Sequence, residues 1–393
     1  MCNTRSARPR AHHEEGALSV SGTGFDPLAA SRTPTSPAYD VLLSGTVFLD
    51  IIFTGMTQMP AAGTEVMAEG MGSSPGGIAN LAVAASRLGL RTSLAAAFGD
   101  DVYADFCWDA LAEQELVDLS RSRRFEGWHS PVTTSMAVHH DRSMVTHAHR
   151  PPVTATELIG DPPPSRAVMV DLGGDPIGDP DNPTWVDLAR DGGALVFADI
   201  GWDPTEVWSP ALLDQLAGCD AFLPNATEAM AYTRTETAHD ALYALADRVP
   251  LAVVTNGAEG ALAIDASTGE ESQVPALRVP ALDPTGAGDV FGAGVVLGTL
   301  AGWPLHDRLA FAALCSGLAV QHFGGSLSAP GWGDIGEWWH AVRDSPERSS
   351  YHASLRRRYA FLEELVPDIP LGAVHRARAT IARHADVATP NRR

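Results

Sequence analysis

The sequence predicts an α/β fold with a mostly parallel central sheet, and three observations support this prediction. From residue 39 onward, short apolar runs alternate with longer helical segments, which is the pattern of strands joined by crossover helices. Two glycine-rich stretches, around Gly76 and Gly286, each lead into a helix. The chain has 393 residues, of which 45% are hydrophobic, so it is long enough to bury the core of a large domain.

The first residues differ in composition from the rest of the chain. Residues 1–38 are rich in Arg, Ser, Pro and Gly and lack apolar periodicity, which predicts a disordered leader. A folded domain is predicted over residues 39–344. It begins with a buried strand, Val41–Gly45, and continues into a second strand that places Asp50 near a strand end.

Two regions of weak alternation predict a small β lid. The first covers roughly residues 46–74, where glycines and a proline interrupt short apolar runs. The second covers roughly residues 130–149, where apolar and polar residues alternate. We expect the strands of the second region to join those of the first in one sheet.

Strands and helices alternate between and after these regions. Pro75–Gly89 changes from a glycine turn into an alanine-rich helix that Gly89 closes. A strand, Ser93–Phe98, and a helix, Val102–Gln114, come next, and similar units continue to the strand Leu251–Thr255. This order predicts parallel strands with helices packed between them.

The last part of the chain is mainly helical. After a hairpin around Gly269, the stretch Leu282–Gly292 leads into two helices rich in small residues, Val290–Leu300 and Leu305–Gln321. Residues 345–393 are rich in arginine around one amphipathic patch. They predict a partly ordered tail whose arginines lie on a solvated helix face.

Charge excludes several classes of function. The net charge is -21, which repels nucleic acid, and the sequence contains no lysine, so all 27 basic residues are arginine. A Walker A lysine and a pyridoxal Schiff base are therefore excluded. Any phosphate chemistry must use backbone N–H groups, arginine and metal ions.

The cysteines and the apolar runs suggest where the protein works. Cys2, Cys107, Cys219 and Cys315 are far apart and show neither metal-binding spacing nor the density of a disulfide scaffold, which favours a reducing cytoplasm. No apolar run approaches the length of a transmembrane helix, so a membrane is not an expected partner.

The stretch Leu282–Gly292 carries the strongest chemical signal. Gly286 and Gly288 allow turn geometries in which the N–H groups at a helix start point at one anion. Asp289 lies beside this anion cradle. A carboxylate beside a phosphate site suggests a base that acts on a hydroxyl as a phosphoryl group arrives. The stretch therefore predicts phosphoryl transfer to an alcohol.

Two motifs together resemble those of a known family. The first is Gly76-Gly77-x-x-Asn80 with the helix ending Arg87-Leu88-Gly89, and the second is Asp283-x-Thr285-Gly286-Ala287-Gly288-Asp289. In this order they resemble the ribokinase/PfkB family of carbohydrate and nucleoside kinases, from about Val41 to Trp332. The resemblance implies a three-layer αβα fold with a mostly parallel sheet and a small β lid. It also implies transfer of the ATP γ-phosphate to a hydroxyl, commonly a primary one.

The resemblance also implies a role for each motif residue. Asp289 is the expected catalytic base, and the N–H groups of Gly286, Ala287 and Gly288 form the expected anion hole. The expected acceptor-binding residues are Asp50, Gly76, Gly77 and Asn80. The expected ATP-binding residues are Asn225, Glu228, Thr255, Gly257, Gly260 and Gly325. Glu228 is expected to organise Mg²⁺ through water, and Asp283 and Thr285 lie where many members bind K⁺. Members often pair through their lids, which suggests a homodimer.

Other interpretations stay open from the sequence. A nucleoside kinase of the same fold needs an aromatic or apolar shelf, which Phe48, Phe53 or Met56 can supply. A non-catalytic sugar-binding regulator is a further alternative. Asn225 and Glu228 also have the spacing of a helix capping box.

Two further features of the sequence bear on ligands. Lid histidines His139, His140, His147 and His149 lack the companion ligands of a metal site. Relatives often carry asparagine and then arginine where this chain has Gly201 and Trp202. That difference predicts the loss of a contact to a charged substrate group or a phosphate.

Overall fold

The computed structural model describes residues 25–367, apart from residues 139–140, 175, 179–180, 204, 323 and 347–348. The strands are β1 (Tyr39–Ser44), β2 (Val47–Met56), β3 (Gly70–Gly77), β4 (Thr92–Ala95), β5 (Ala97–Phe98), β6 (Arg123–Arg124), β7 (Val132–Val138), β8 (Asp141–His147), β9 (Ser165–Asp171), β10 (Leu195–Asp199), β11 (Ala221–Phe222), β12 (Leu251–Thr255), β13 (Ala261–Asp265) and β14 (Glu270–Val274). The α-helices are α1 (Ile78–Arg87), α2 (Val102–Asp109), α3 (Ala155–Ile159), α4 (Trp185–Asp191), α5 (Ala226–Thr233), α6 (Ala238–Ala246), α7 (Ala287–Leu300), α8 (Leu305–Ala319), α9 (Trp332–Asp344), α10 (Ser350–Arg358) and α11 (Leu362–Leu365).

Eight strands form the central sheet, in the order β14-β13-β12-β11-β10-β9-β1-β4. The strands from β12 to β4 are parallel, and β13 and β14 add an antiparallel edge. Parallel strands need cover on both faces, which explains why β1 and β4 are buried almost throughout. The predicted mostly parallel sheet is confirmed.

Helices cover both faces of the sheet and create two apolar cores. On one face α1, α2, α7, α8 and α9 pack around residues such as Leu81 and Phe311. On the other face α3 to α6 pack around residues such as Trp185 and Phe222. The result is the predicted three-layer αβα arrangement. None of the described helices is long and apolar enough to cross a bilayer.

The lid is a second sheet with the strand order β3-β2-β7-β8. Its strands come from the two regions where the sequence predicts them. Asp50, however, is the fourth residue of the ten-residue strand β2, and not near its end. Gly76 and Gly77 close strand β3 instead of forming a separate turn. Gly77 has φ +62, and a Cβ there would lie 2.3 Å from the Thr46 carbonyl oxygen, so only glycine fits.

The chain packs against the domain earlier than the sequence predicts. The Phe25 ring lies edge-on to Trp332 with 4.9 Å between ring centroids, and Leu28 is 2% exposed. Arg32 forms ion pairs with Asp26 and with Asp40, the latter at 2.7 Å. A few anchoring side chains hold residues 25–38, and such a short segment shows no periodicity in the sequence. Residues 1–24 of the predicted leader lie outside the described residues.

The domain also extends beyond its predicted end at residue 344. Tyr359 and Leu362 are fully buried in the core that α8 and α9 share. Arg356, predicted to be solvated, donates to the Val342 carbonyl at 3.1 Å. Residues 349–367 therefore complete one layer of the fold, because isolated aromatic and leucine side chains anchor an otherwise polar segment. Residues 368–393 lie outside the described residues.

Candidate active site

The second glycine motif forms the start of helix α7. Gly286 is the N-cap with φ +74, a left-handed conformation that glycine adopts without strain. The Ala287 N–H is one of the three predicted anion-binding groups. It donates to the Pro284 carbonyl at 3.2 Å and so also closes the turn. A Cβ on Gly288 would meet nothing within 4 Å, so the first turn of α7 opens onto free space. Asp289 lies in the same turn.

A hydrogen bond joins the two predicted motifs. Nδ2 of Asn80, in the first turn of α1, donates to Oδ2 of Asp289 at 3.1 Å across 209 positions of sequence. Asn80 is 5% exposed, and its Oδ1 is buried without a protein partner. A buried amide oxygen without a partner is costly, so this atom is available to a hydroxyl donor.

Asp283 holds the loop before α7 in place. Its Oδ1 accepts from the N–H of Thr285 at 2.9 Å and from the Thr285 hydroxyl at 2.6 Å. Its Oδ2 accepts from the Gly324 N–H at 3.2 Å. The adjacent Gly325 packs against the loop, since a Cβ on Gly286 would lie 3.2 Å from its Cα. The structure thus places Gly325 next to the predicted catalytic turn.

Asp50 and Gly76 are also brought together. They lie on neighbouring lid strands, and a Cβ on Gly76 would overlap Oδ2 of Asp50 at 1.9 Å. Only glycine at residue 76 leaves room for this carboxylate. Ser74, which the sequence did not suggest as a site residue, is paired with Asp50 in the strand register. Its hydroxyl is buried without a protein partner.

Asp171, Asp199, Glu228 and Asp289 form an acidic cluster, because the charges of the other three act on Asp199. Asp171 and Asp199 end strands β9 and β10 and lie opposite each other in the register. Neither residue stands out in the sequence as a candidate site residue. Their signal was their position, because ligands of α/β proteins bind at the carboxyl ends of parallel strands.

The charges of the acidic cluster act on the pKa values of two of its members, Asp199 and Glu228. Burial raises the pKa of Asp289 to about 6, although the hydrogen bond from Asn80 opposes this shift. Burial, and next the charge of Asp289, hold the pKa of Asp199 well above its usual range. Burial also raises the pKa of Glu228, opposed by hydrogen bonds from Asn225 and supported by the charges of Asp171 and Asp289. Clustered carboxylates with raised pKa values are typical of functional sites.

The predicted nucleotide residues lie at the ends of β11 and β12. Asn225 caps α5 and forms a capping box with Glu228, with both hydrogen bonds at 3.0 Å. Asn225 also forms an isolated β-bridge with Thr255, and Gly257 follows in the next turn. Gly260 has a purely structural reason to be glycine, because a Cβ there would lie 2.0 Å from the Val274 carbonyl oxygen.

The site offers oxygen ligands but no preformed cation cage. Within the described residues, no three His, Cys, Asp or Glu side chains are arranged to hold a metal ion. Mg²⁺ usually keeps several waters and binds through one or two carboxylates and substrate phosphates, which fits the acidic cluster. Both Asp283 oxygens accept hydrogen bonds from the protein and keep further lone pairs, so the K⁺ site expected at Asp283 and Thr285 stays a prediction.

The lid histidines form a row of ring contacts. His147 lies edge-on to His129 and to His149, with centroid distances of 5.4 Å and 4.8 Å. His139 and His140 lie outside the described residues. The rings of His129, His147 and His149 therefore pack against one another where the lid meets the loop that carries His129.

Comparison with known proteins defines the class of this protein. Residues 51–332 match the family model described as pfkB family carbohydrate kinase. This match covers well over half of the chain, so the protein belongs to the pfkB family of carbohydrate kinases, which are phosphotransferases. The resemblance seen in the two glycine motifs is therefore confirmed.

Individual relatives agree with the family. The chain is 31% identical to the fructokinase of Klebsiella pneumoniae over 65% of this chain and 85% of that protein. It is 27% identical to the nucleoside kinase of Methanothermobacter thermautotrophicus over 75% of this chain and 94% of that protein. Two ribokinases match over 79 and 78 residues, about a quarter of their own length.

A solved structure shows the same fold. The structure of Arabidopsis thaliana ribokinase complexed with ribose and ATP superimposes with a TM-score of 0.62 and 21% identity. The superposition covers 77% of this chain and 98% of that one. At this identity the likeness establishes the ribokinase-like fold.

Proposed function

We propose that this protein transfers the γ-phosphate of ATP to a hydroxyl, preferably a primary one, on a sugar or sugar-like molecule. One observation supports the proposal above all: the hydrogen bond between Asn80 and Asp289. It joins the motif expected to bind the alcohol to the motif expected to bind the moving phosphoryl group. A hydroxyl that lies where the two motifs meet can therefore lose its proton to Asp289 and receive the phosphoryl group in the same place.

Asp289 is proposed as the base. With a pKa of about 6, its carboxylate is mostly ionised at neutral pH and still close enough in pKa to accept a proton effectively. The acceptor oxygen attacks the γ-phosphorus while its proton moves to Asp289. The bond from the γ-phosphorus to the β–γ bridging oxygen breaks, and ADP leaves with that electron pair.

The first turn of α7 is proposed as the anion hole. The N–H groups of Gly286, Ala287 and Gly288 lie at the positive end of a 14-residue helix, where they stabilise negative charge on the transferred group. Free space beside Gly288 leaves room for that group. Because the chain has no lysine, these backbone groups take the role that a phosphate-binding lysine has elsewhere.

The remaining predicted residues divide between the two substrates. Asp50, Gly76, Gly77 and Asn80 are proposed to bind the acceptor, and the partnerless oxygens of Asn80 and Ser74 supply two further hydrogen-bond acceptors. Asn225, Glu228, Thr255, Gly257, Gly260 and Gly325 are proposed to line the ATP site. Mg²⁺ would be held through water by Glu228, and it would neutralise charge on the phosphates. A K⁺ ion near Asp283 and Thr285 stays a prediction.

Turnover of ATP against a panel of sugars and nucleosides tests the proposal. Asp289→Asn should lose activity, while the matched variant Asp214→Asn, at a carboxylate 77% exposed on the surface, should keep it. If the wild type binds a sugar tightly and phosphorylates nothing, the protein is a sugar-binding regulator. If Asp289→Asn keeps the full rate, Asp289 is not the base.

A homodimer formed through the lid is a second proposal about partners. Met144 and Val145, on the edge strand β8, are 54% and 64% exposed, which leaves apolar surface for a second lid. Multi-angle light scattering should give twice the chain mass, and Val145→Arg should give the single mass.

The buried free thiols of Cys107, Cys219 and Cys315 agree with a reducing compartment.

A further inference from the structure

A groove of about 400 Å³ is lined by residues at and after the ends of strands β9 and β10 and by Tyr232 of α5. None of the residues proposed for the acceptor, for ATP or for the anion hole lines it. Ile200, Val207 and Leu212 make its walls mainly apolar. Its volume lies in the range of small-molecule sites. The groove is therefore a candidate binding site in addition to those already proposed.

Three aromatic rings form one wall of the groove. Trp202 is 58% exposed and lies edge-on to Trp208 at 4.9 Å between centroids. Trp208, which is 8% exposed, lies edge-on to Tyr232 at 5.2 Å. The two inner rings thus support Trp202 while more than half of its surface stays open. A large aromatic ring held in this way offers a ready binding surface.

The loop that carries Trp202 is fixed by specific contacts. The Arg234 guanidinium donates to the Val207 and Trp208 carbonyls at 2.7 Å and 3.0 Å. Oδ2 of Asp203 accepts from the Trp208 N–H at 2.8 Å. Trp208 and Arg234 are also two of the four non-glycine residues with positive φ in the described part of the chain. These contacts hold a strained loop in place, which is typical of ligand sites.

The charges around the groove are negative. Asp171 and Asp203 line it, whereas Arg234 does not, and the described lining contains no basic residue. The Tyr232 phenol senses the same field. Burial raises the pKa of Tyr232, and the charges of Asp203, Glu228 and Asp171 act in the same direction. The groove therefore combines an open aromatic ring with uncompensated carboxylates.

This combination excludes several classes of ligand. An anion would meet like charge without a compensating cation in the lining. A neutral apolar ligand would cover the carboxylates without supplying a counter-charge, which is costly. A hydrated metal ion needs several oxygen ligands, but the walls are mainly apolar, and no three His, Cys, Asp or Glu side chains of the described residues could hold a metal. An organic cation satisfies both the apolar walls and the charges.

We propose that this groove binds an organic cation, a quaternary ammonium or a protonated amine, with its alkyl groups against the open surface of Trp202 and its charge compensated by Asp171 and Asp203. Aromatic rings attract such cations through the negative charge of their faces, and tryptophan does so most strongly. The inference goes beyond the proposed kinase function and does not depend on it, because it uses no residue to which a step of phosphoryl transfer is assigned.

Titration calorimetry with the full-length protein, without ATP or Mg²⁺, tests this assignment. The probes are choline chloride and 3,3-dimethylbutan-1-ol, which has the same shape as choline but a carbon in place of the charged nitrogen. Sodium chloride at equal concentration is the salt control. We expect choline to bind roughly 10-fold more tightly than the uncharged alcohol, because only choline gains the attraction of the ring and the carboxylates.

Four variants locate the bound cation. Trp202→Ala should weaken choline binding roughly 10-fold, and Trp202→Phe, which keeps an aromatic ring, should recover most of that loss. Tyr243→Ala should have no effect, because Tyr243 is an aromatic residue 51% exposed on α6 and does not line the groove. Asp171→Asn keeps the shape of the side chain and removes its charge. It should weaken choline roughly 3-fold and leave the binding of the uncharged alcohol unchanged.

Three results would overturn the assignment. Absence of choline binding to the wild type would exclude the site. Equal affinity for choline and 3,3-dimethylbutan-1-ol would show that the groove does not select a cation. Choline binding that Trp202→Ala leaves unchanged would place the cation elsewhere in the protein. None of these results bears on the kinase proposal, which is tested separately by ATP turnover.

Discussion

Two groups of carboxylates differ in how their charge is neutralised: a buried ion pair, and the acidic cluster, in which Glu228 is buried, Asp199 and Asp289 are partly buried and Asp171 is exposed. Glu115 is 3% exposed and forms a two-bond ion pair with Arg87, at 2.8 Å and 2.7 Å. In the acidic cluster, the largest influences on the pKa values of Asp199, Glu228 and Asp289 are burial, local hydrogen bonds and the other carboxylates, and none is an arginine.

The ion pair supports the fold, whereas the acidic cluster belongs to the candidate active site. Arg87, at the end of α1, also donates to the carbonyls of Leu327 and Ala329, at 3.1 Å and 2.6 Å. It therefore joins α1 both to Glu115 and to the segment that follows Gly325. The acidic cluster makes no comparable link. Carboxylates left without a counter-charge cost stability, and we infer that the cluster is kept for a cationic or proton-transferring task.

Removing the central carboxylate of the cluster should have the largest effect. Asp289→Asn should lower kcat by about 10²- to 10⁴-fold, because the acceptor would lose its proposed base. It should also raise the midpoint of thermal unfolding at pH 8. A carboxyl group whose pKa is raised in the folded state destabilises it once ionised, so the gain should shrink as the pH falls from about 6 toward 4. A lower midpoint at pH 8 would contradict this account.

Breaking the ion pair between Arg87 and Glu115 should mainly lower the stability of the fold. Arg87→Met leaves Glu115 buried and unpaired and should cost about 3–5 kcal/mol of unfolding free energy, measured by urea denaturation. The matched variant is Arg248→Met, which breaks a pair with side chains 43% and 77% exposed. It should cost less than about 1 kcal/mol. Similar losses in both variants would remove the distinction between a structural pair and a surface pair.

The catalytic turn should respond to a single methyl group. A Cβ on Gly286 would lie 3.2 Å from Asn80 and Gly325, at a residue with φ +74. Gly286→Ala should lower kcat roughly 10-fold or more, because the turn must shift away from Asn80. Gly269 has φ +73 and nothing within 4 Å of an added Cβ, so Gly269→Ala imposes the same backbone strain far from the site. Equal kinetic losses would show that strain alone, and not the turn's position, is responsible.

The pH dependence should show the smallest effect. Because Asp289 must be ionised to accept a proton, kcat/KM should fall about 10-fold per pH unit below an apparent pKa of about 6. Asn80→Ala removes the hydrogen bond that lowers this pKa, so the acid limb should move to higher pH. A limb that stays in place, or moves down, would separate Asn80 from the base.

Much of the architecture was predictable because it depends on local patterns. Alternating strands and helices predicted the parallel sheet, and the glycine motifs predicted where α1 and α7 begin. The ends of the domain were less predictable. Phe25, Tyr359 and Leu362 anchor their segments through contacts with distant helices, and an isolated aromatic or leucine residue gives no periodic signal.

The site was predictable where its residues form motifs. Asn80 and Asp289 are proposed from the family resemblance, and their direct hydrogen bond required the structure. Asp171, Asp199 and Ser74 were missed, because one polar residue in or after a strand resembles an ordinary strand end. Only the folded chain shows that Asp171 and Asp199 end neighbouring strands and that the charge of Asp289 acts on Asp199.

Gly77 is both the last residue of lid strand β3 and the N-cap of α1. No linker separates the lid from the helix that carries Asn80, three residues further on, so lid strand β3 continues directly into the element whose amide donates to Asp289. We infer that a change in the lid would reach the hydrogen bond that lowers the pKa of Asp289, the proposed base.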